Sequence, residues 1–113
     1  GAWEPTRWYA AIDRGHAQFA SAVMLLGAAA PADRPRLFGD LGRAFPKLDI
    51  EPLPPGPVPA AADPEGLDLH SLHRRLDSTY RIFPLAEGQG RVGIALPDGA
   101  MVSARVLPDR PRR

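Results

Sequence analysis

"RVGIALPDGAMVSARVL", residues 91–107, is the stretch whose reading decides the fold. Its apolar residues alternate, Val92, Ile94 and Leu96 in one run and Val102, Ala104 and Val106 in the next, with Pro97-Asp98-Gly99-Ala100 between them. Alternation at period two places each set on one face of a strand. Asp-Gly between two such runs marks a tight hairpin, because the turn requires positive φ and Gly accepts it without strain. Just upstream, "TYRIFPLAEGQG", residues 79–90, supplies a third strand and a second turn at Glu87-Gly88-Gln89-Gly90. These glycines join strand to strand and do not open a helix, so they form no phosphate loop.

A sheet with one apolar face needs a cover, and the N-terminal third provides it. From Thr6 to about Ala30 the spacing predicts a helix, with Ile12, His16, Phe19, Val23, Leu26 and Ala30 separated by alternating fours and threes. Two readings fit that stripe. It is the period of a coiled-coil seam, which suits dimerisation, and it is also the buried face of an ordinary amphipathic helix lying on its own sheet. Pro31 ends the helix, and Asp33 with Pro35 starts a second, which should run to about Ala44 with Leu37, Phe38, Leu41 and Phe45 inward. After Pro46, "KLDIEPL", residues 47–53, alternates as a short edge strand.

Residues 54–66, "PPGPVPAAADPEG", have no packing periodicity and form a proline-rich loop, a lid or an insertion. A short third helix with Leu69, Leu72 and Leu76 inward follows, ending near Asp77-Ser78. The expected architecture is α+β: one long N-terminal helix and two shorter ones packed on a three- to four-stranded antiparallel sheet, in a single domain over residues 1–113.

The composition limits the chemistry. Fourteen prolines in 113 residues stand well above the average of about 5% and foretell a loop-rich domain. The net charge is +1, and the basic residues, all arginine but Lys47, form no long block, which removes the footprint of a nucleic-acid binder. Without cysteine there is no disulfide, thiolate nucleophile or thiolate-ligated zinc. "FASAVMLLGAAAPA", residues 19–32, is shorter than the ~20 apolar residues of a membrane span and reads as a buried helix face. Gly1-Ala2, with the form of a cloning scar, leads into Trp3-Glu4-Pro5 and not into a signal peptide. Of the two tryptophans, Trp3 and Trp8, the second is expected in the core at the base of the first helix.

Few residues offer site chemistry. His70 and His73, three apart on the third helix, can share one side of it with Asp77 nearby, or lie on the solvated flank opposite the leucines. His16, inside the apolar stripe, either makes association depend on pH or is a core-edge histidine. Arg74 and Arg75, with Arg81 and Arg91, either gather around an anion or stand solvated. No nucleophile motif of a free-standing enzyme is present, and whether a metal binds stays open.

The order "FASAVMLLGAAAPADRPRLFGDL", "FPKLDIEPLPPG", a leucine-bearing helix and then "YRIFPLAEGQGRVGIALPDGAMVSARVL" resembles the extracytoplasmic sensor domain of bacterial two-component sensor histidine kinases of the osmosensor-like type. The motif "AP-x-x-R-x-x-L" falls on Pro31, Arg34 and Leu37, and "L-x-DG" on Leu96, Asp98 and Gly99. The resemblance runs from Arg14 to Leu107.

It implies a small PAS-like sensor fold, a homodimer in the periplasm, and membrane spans on both flanks, so that the bare tail "PDRPRR" marks a module cut from a longer protein. ATP, the phosphoacceptor histidine and the contact with a response regulator would belong to the cytoplasmic part; none of His16, His70 or His73 lies in an "H-E-x-x-x-P" motif, and this fragment is expected to have neither enzymatic activity nor a cofactor. The expected seam is Ile12, His16, Phe19, Val23 and Leu26, and the expected sensing residues are His70, His73 and Arg74, facing a small ligand or a proton. The long proline loop and Arg110, Arg112 and Arg113 depart from the family pattern. The alternative is a free-standing domain without spans, binding a small anion or a partner protein through the sheet face and proline loop.

Overall fold

The computed structural model describes residues 5–60, 62, 69–85 and 90–106, of which 5–13, 70 and 71 are described in backbone only. The long helix forms as the stripe predicts: α1 spans Pro5–Ala28, and Pro31 opens a 3-10 turn, Pro31–Asp33, instead of continuing it. Helix α2, Arg34–Ala44, follows at once with Pro35 in its first turn, where a missing N–H costs nothing. Asp33 stands at its N-cap without a side-chain cap bond. The third helix is shorter than its leucines suggest, α3 covering His70–Arg75, because Leu76 is extended and Asp77 turns the chain by accepting the Thr79 N–H at 3.0 Å.

Four strands make one antiparallel sheet in the order β1-β4-β3-β2, with β1 Glu51–Pro52, β2 Arg81–Pro84, β3 Arg91–Ala95 and β4 Met101–Arg105. The Asp98-Gly99 hairpin is where the alternation puts it: Gly99 has φ +98, and Leu96 and Ala100 close the turn through a 2.7 Å bond from the Leu96 N–H to the Ala100 carbonyl. The edge strand is the main departure. The expected strand 47–53 is reduced to two residues, because Pro46–Leu48 winds into a 3-10 turn and Asp49 follows in the left-handed region at φ +47. Leu48 and Ile50 still face inward, whereas Pro52 is exposed.

Register sorts the side chains into rows. Ile82, Ile94 and Val102 lie abreast on one face, as do Val92 and Ala104. Against that face pack Phe19, Val23 and Leu26 of α1, Leu41 of α2, and Leu69 and Leu72 at α3, in one continuous core. Phe19, Val23, Leu26, Leu72, Val92 and Ile94 are each 0% exposed, and burying one such side chain stabilises the fold by about 1.5–3 kcal/mol.

The other face carries a second, smaller cluster of Phe83, Ala95 and Met101, completed by half-buried Leu53 and Leu85. Phe83, Gly93, Ser103 and Glu51 lie abreast here, and the Phe83 ring lies so close over Gly93 that any Cβ there would overlap its Cε2 and Cζ. The proline-rich segment belongs to this side of the architecture. Leu53 donates to the Met101 carbonyl at 2.9 Å and Ala62 to the Ile82 carbonyl at 3.0 Å, so a strap, residues 53–60 with Ala62, is tied to both edges of the sheet.

Candidate functional site

The expected seam is corrected by the packing. His16, Phe19, Val23 and Leu26 are all within 1% of full burial in the chain's own interior, so as folded they offer no surface to a second copy. The stripe is core, as the second reading of its spacing has it; the side chain of Ile12 lies outside the described residues. The exposed face of α1 carries Gln18, Ser21, Met24 and Leu25 instead.

Among the described residues, neither His73 nor Arg74 lines either of the two clefts described below. His73 and Arg74 are exposed in the last turn of α3, and His70 opens that helix with its side chain outside the described residues. Among the described residues no group of three or more His, Cys, Asp or Glu side chains is placed to hold a metal ion. The arginine cluster is not assembled either. Arg91 reaches across β4 towards β1, away from Arg81 on β2: it binds the Asp49 carboxylate at 2.7 Å, the Asp49 carbonyl at 2.6 Å, Ser103 Oγ at 3.0 Å and Glu51 at 3.4 Å. It is a clamp that holds the short edge strand to the sheet.

Two residues from distant parts of the sequence meet where a cleft opens. Arg34, at the start of α2, is 8% exposed; its Nε donates to the Leu26 carbonyl at the end of α1 at 2.9 Å, and its Nη1 lies 2.8 Å from Asp98 Oδ2 in the β3–β4 turn. The Ala100 N–H, also bonded to this carboxylate at 3.1 Å, and secondarily Arg34 hold the Asp98 carboxyl below the usual carboxylate range. Beside the pair, and lined by Arg34 of the two, lies a cleft of about 440 Å³, walled by Pro31, Pro35 and Phe38 of the α2 side, Leu53 and Pro55 of the strap, and Met101. Apart from Arg34 every residue lining it is apolar. Sequence reasoning singled out Arg34 and Asp98 as motif positions but not as partners. The signal was there in the helical spacing: Arg34, Leu37, Phe38 and Leu41 share one face of α2, which puts the arginine on the inward side.

A second cleft, of about 380 Å³, lies where α1 passes the end of β4 and is lined by Arg14, Gly15, Gln18, Lys47, Arg105 and Val106 among others. Its charged groups are all cationic. A Cβ on Gly15 would sit 3.9 Å from the Val106 carbonyl oxygen, so helix and final strand lie side by side here. Near the other end of α1, Tyr80 abuts Gly27, with its hydroxyl and the adjoining ring edge filling the space of a Cβ. Loss of solvation, and then the negative charge of Asp77, raise the pKa of its phenol.

No family model, curated protein or solved structure matches this chain. Among the described residues no helix is long and apolar enough to cross a membrane.

Proposed function

We propose that this chain is the periplasmic sensor domain of a bacterial two-component histidine kinase, anchored by a membrane span on either side. The observation that carries the reading is that Gly15 of the incoming helix lies beside Val106, just past the outgoing strand. A domain inserted between two neighbouring spans needs that geometry, since packed membrane helices lie about 8–10 Å apart. From Gly15 back to Pro5, α1 continues for about 15 Å at 1.5 Å per residue, long enough to lead from the folded body to a bilayer surface. Arg14, Lys47 and Arg105 line the cleft beside that contact.

Two further features agree with the family motifs. Pro31 and Arg34 from one motif and Leu96 from the other line a single cleft, and Arg34 is ion-paired to Asp98. In a sensor, a stimulus acting there reaches α1 through the Leu26 carbonyl that Arg34 holds. Because the inward stripe of α1 is core, the signal travels as a shift of α1 against its own sheet, and pairing of two copies falls to the Gln18, Ser21, Met24 and Leu25 face. The kinase chemistry, with its ATP and response regulator, takes place on the cytoplasmic side.

Protease accessibility of the intact parent protein in spheroplasts tests the reading, with a cleavage sequence placed in the exposed segment 54–60. Cutting from outside the inner membrane is the expected result. Cleavage only after the membrane is permeabilised contradicts it.

A further inference from the structure

We propose that the cleft between α2, the strap and the β3–β4 turn binds a small molecule with an apolar body and one carboxylate head, for which Arg34 supplies the counter-charge. The inference goes beyond the sensor reading and does not depend on membrane spans.

The walls set the body. Pro31, Pro35, Pro52 and Pro55 line the cleft with backbone that has no N–H to donate and a fixed φ, and Phe38, Leu53 and Met101 add apolar surface. Such walls favour an apolar body, and their stiffness keeps the entropy cost of binding low. About 440 Å³ falls in the range of about 300–1,000 Å³ typical of small-molecule pockets.

Arg34 sets the head. It is the single charged residue in the lining, and two of the five N–H donors of its guanidinium go to Leu26 and Asp98. Its planar fork matches a carboxylate. A dianionic phosphate would call for a second cation, and the lining has none. Asp98 is the built-in competitor: its side chain is 42% exposed, so it can swing to water while Arg34, 9% exposed, keeps its place under the new anion. A ligand carboxylate therefore replaces one ion pair by another and adds burial of its apolar body. The exchange loosens the turn from α2, which gives the cleft a mechanical output.

Calorimetry and amide chemical-shift titration of the domain with octanoate, 1-octanol and acetate test this. Octanoate should saturate one site, with shifts at Leu53 and Ala100–Val102. Acetate should bind at least about tenfold more weakly, as loss of the apolar body implies, and octanol measurably more weakly, because it leaves the Arg34–Asp98 pair in place and cannot engage the planar fork of Arg34 as a carboxylate does. Asp98→Asn keeps an acceptor for the Ala100 N–H but removes the competing charge, so octanoate should bind several-fold more tightly; a purely structural ion pair predicts no gain. Arg34→Gln, with folding verified by circular dichroism, should lose the preference for octanoate over octanol. Equal binding of octanoate and octanol by the native chain, no saturable octanoate binding, or an Asp98→Asn variant with unchanged or weaker affinity overturns the proposal.

Discussion

The two faces of the sheet are built on different principles. Under the helices lies one large core, to which α1 brings Phe19, Val23 and Leu26 and β3 brings Val92 and Ile94, all fully buried. Across the sheet three buried residues, Phe83, Ala95 and Met101, are joined by Leu53 and Leu85, beside a polar clamp centred on Arg91. The first face rests on burial of many side chains. The second rests on a few specific fits: a ring over a glycine, a fork over a carboxylate, and a strap tied at two carbonyls. It follows that the first should hold most of the stability and the second should be the adjustable side, with the apolar cleft at its border.

Substitutions in the large core should have the greatest effect. Phe19→Ala is expected to lower unfolding free energy by about 3–5 kcal/mol in urea denaturation, and Met101→Ala by about 2 kcal/mol, near the low end for such truncations. If Met101→Ala were the more damaging, the two faces would have been ranked wrongly. Gly93→Ala drives a methyl group into the Phe83 ring, and overpacking of this kind costs about 1–3 kcal/mol. Pairing it with Phe83→Leu should recover part of that loss, because the two changes share one contact.

Smaller and more local is the effect of Arg91→Ala, which should cost about 1–2 kcal/mol and speed hydrogen exchange at the Leu53 amide, since β1 loses its clamp. The amide of Ile94 in β3, at the centre of the sheet, should exchange no faster than global unfolding allows. The least effect is expected from Asp98. Its carboxyl titrates below the ordinary value in the folded state, so its contribution to stability is present above that ordinary value and fades as pH falls through the folded one. Exposure keeps the contribution small. Carboxyl carbon shifts followed against pH should show the depressed value, and Arg34→Gln should move it partly back.

Legibility followed the same division. The helical face could be read because periods of 3.6 and 2 report directly on which side chains point inward, as with Phe19, Val23 and Leu26 or Val92 and Ile94. That stripe did not reveal what covers it, and so the same residues fitted a seam between two copies until packing placed them against their own sheet. The other face has no period to read. Its strap is proline-rich, Leu53 looks like the end of a strand, and Gly93 looks like a weakness in one until Phe83 is seen above it. The shortening of β1 comes from a left-handed Asp49, a conformation that Asp tolerates but does not announce. Arg34 and Asp98, 64 positions apart in the chain, meet only through the tertiary fold.

The central claim is that this domain sits between two membrane spans, and the coding sequence on either side of residues 3–113 tests it most directly. The account predicts an apolar run of about 20 residues before Trp3 and another after Arg113, with the phosphoacceptor and ATP-binding parts of a kinase beyond the second. A start codon just ahead of Trp3 and a stop codon soon after Arg113, with no apolar run on either side, would contradict it and leave a free-standing binding domain.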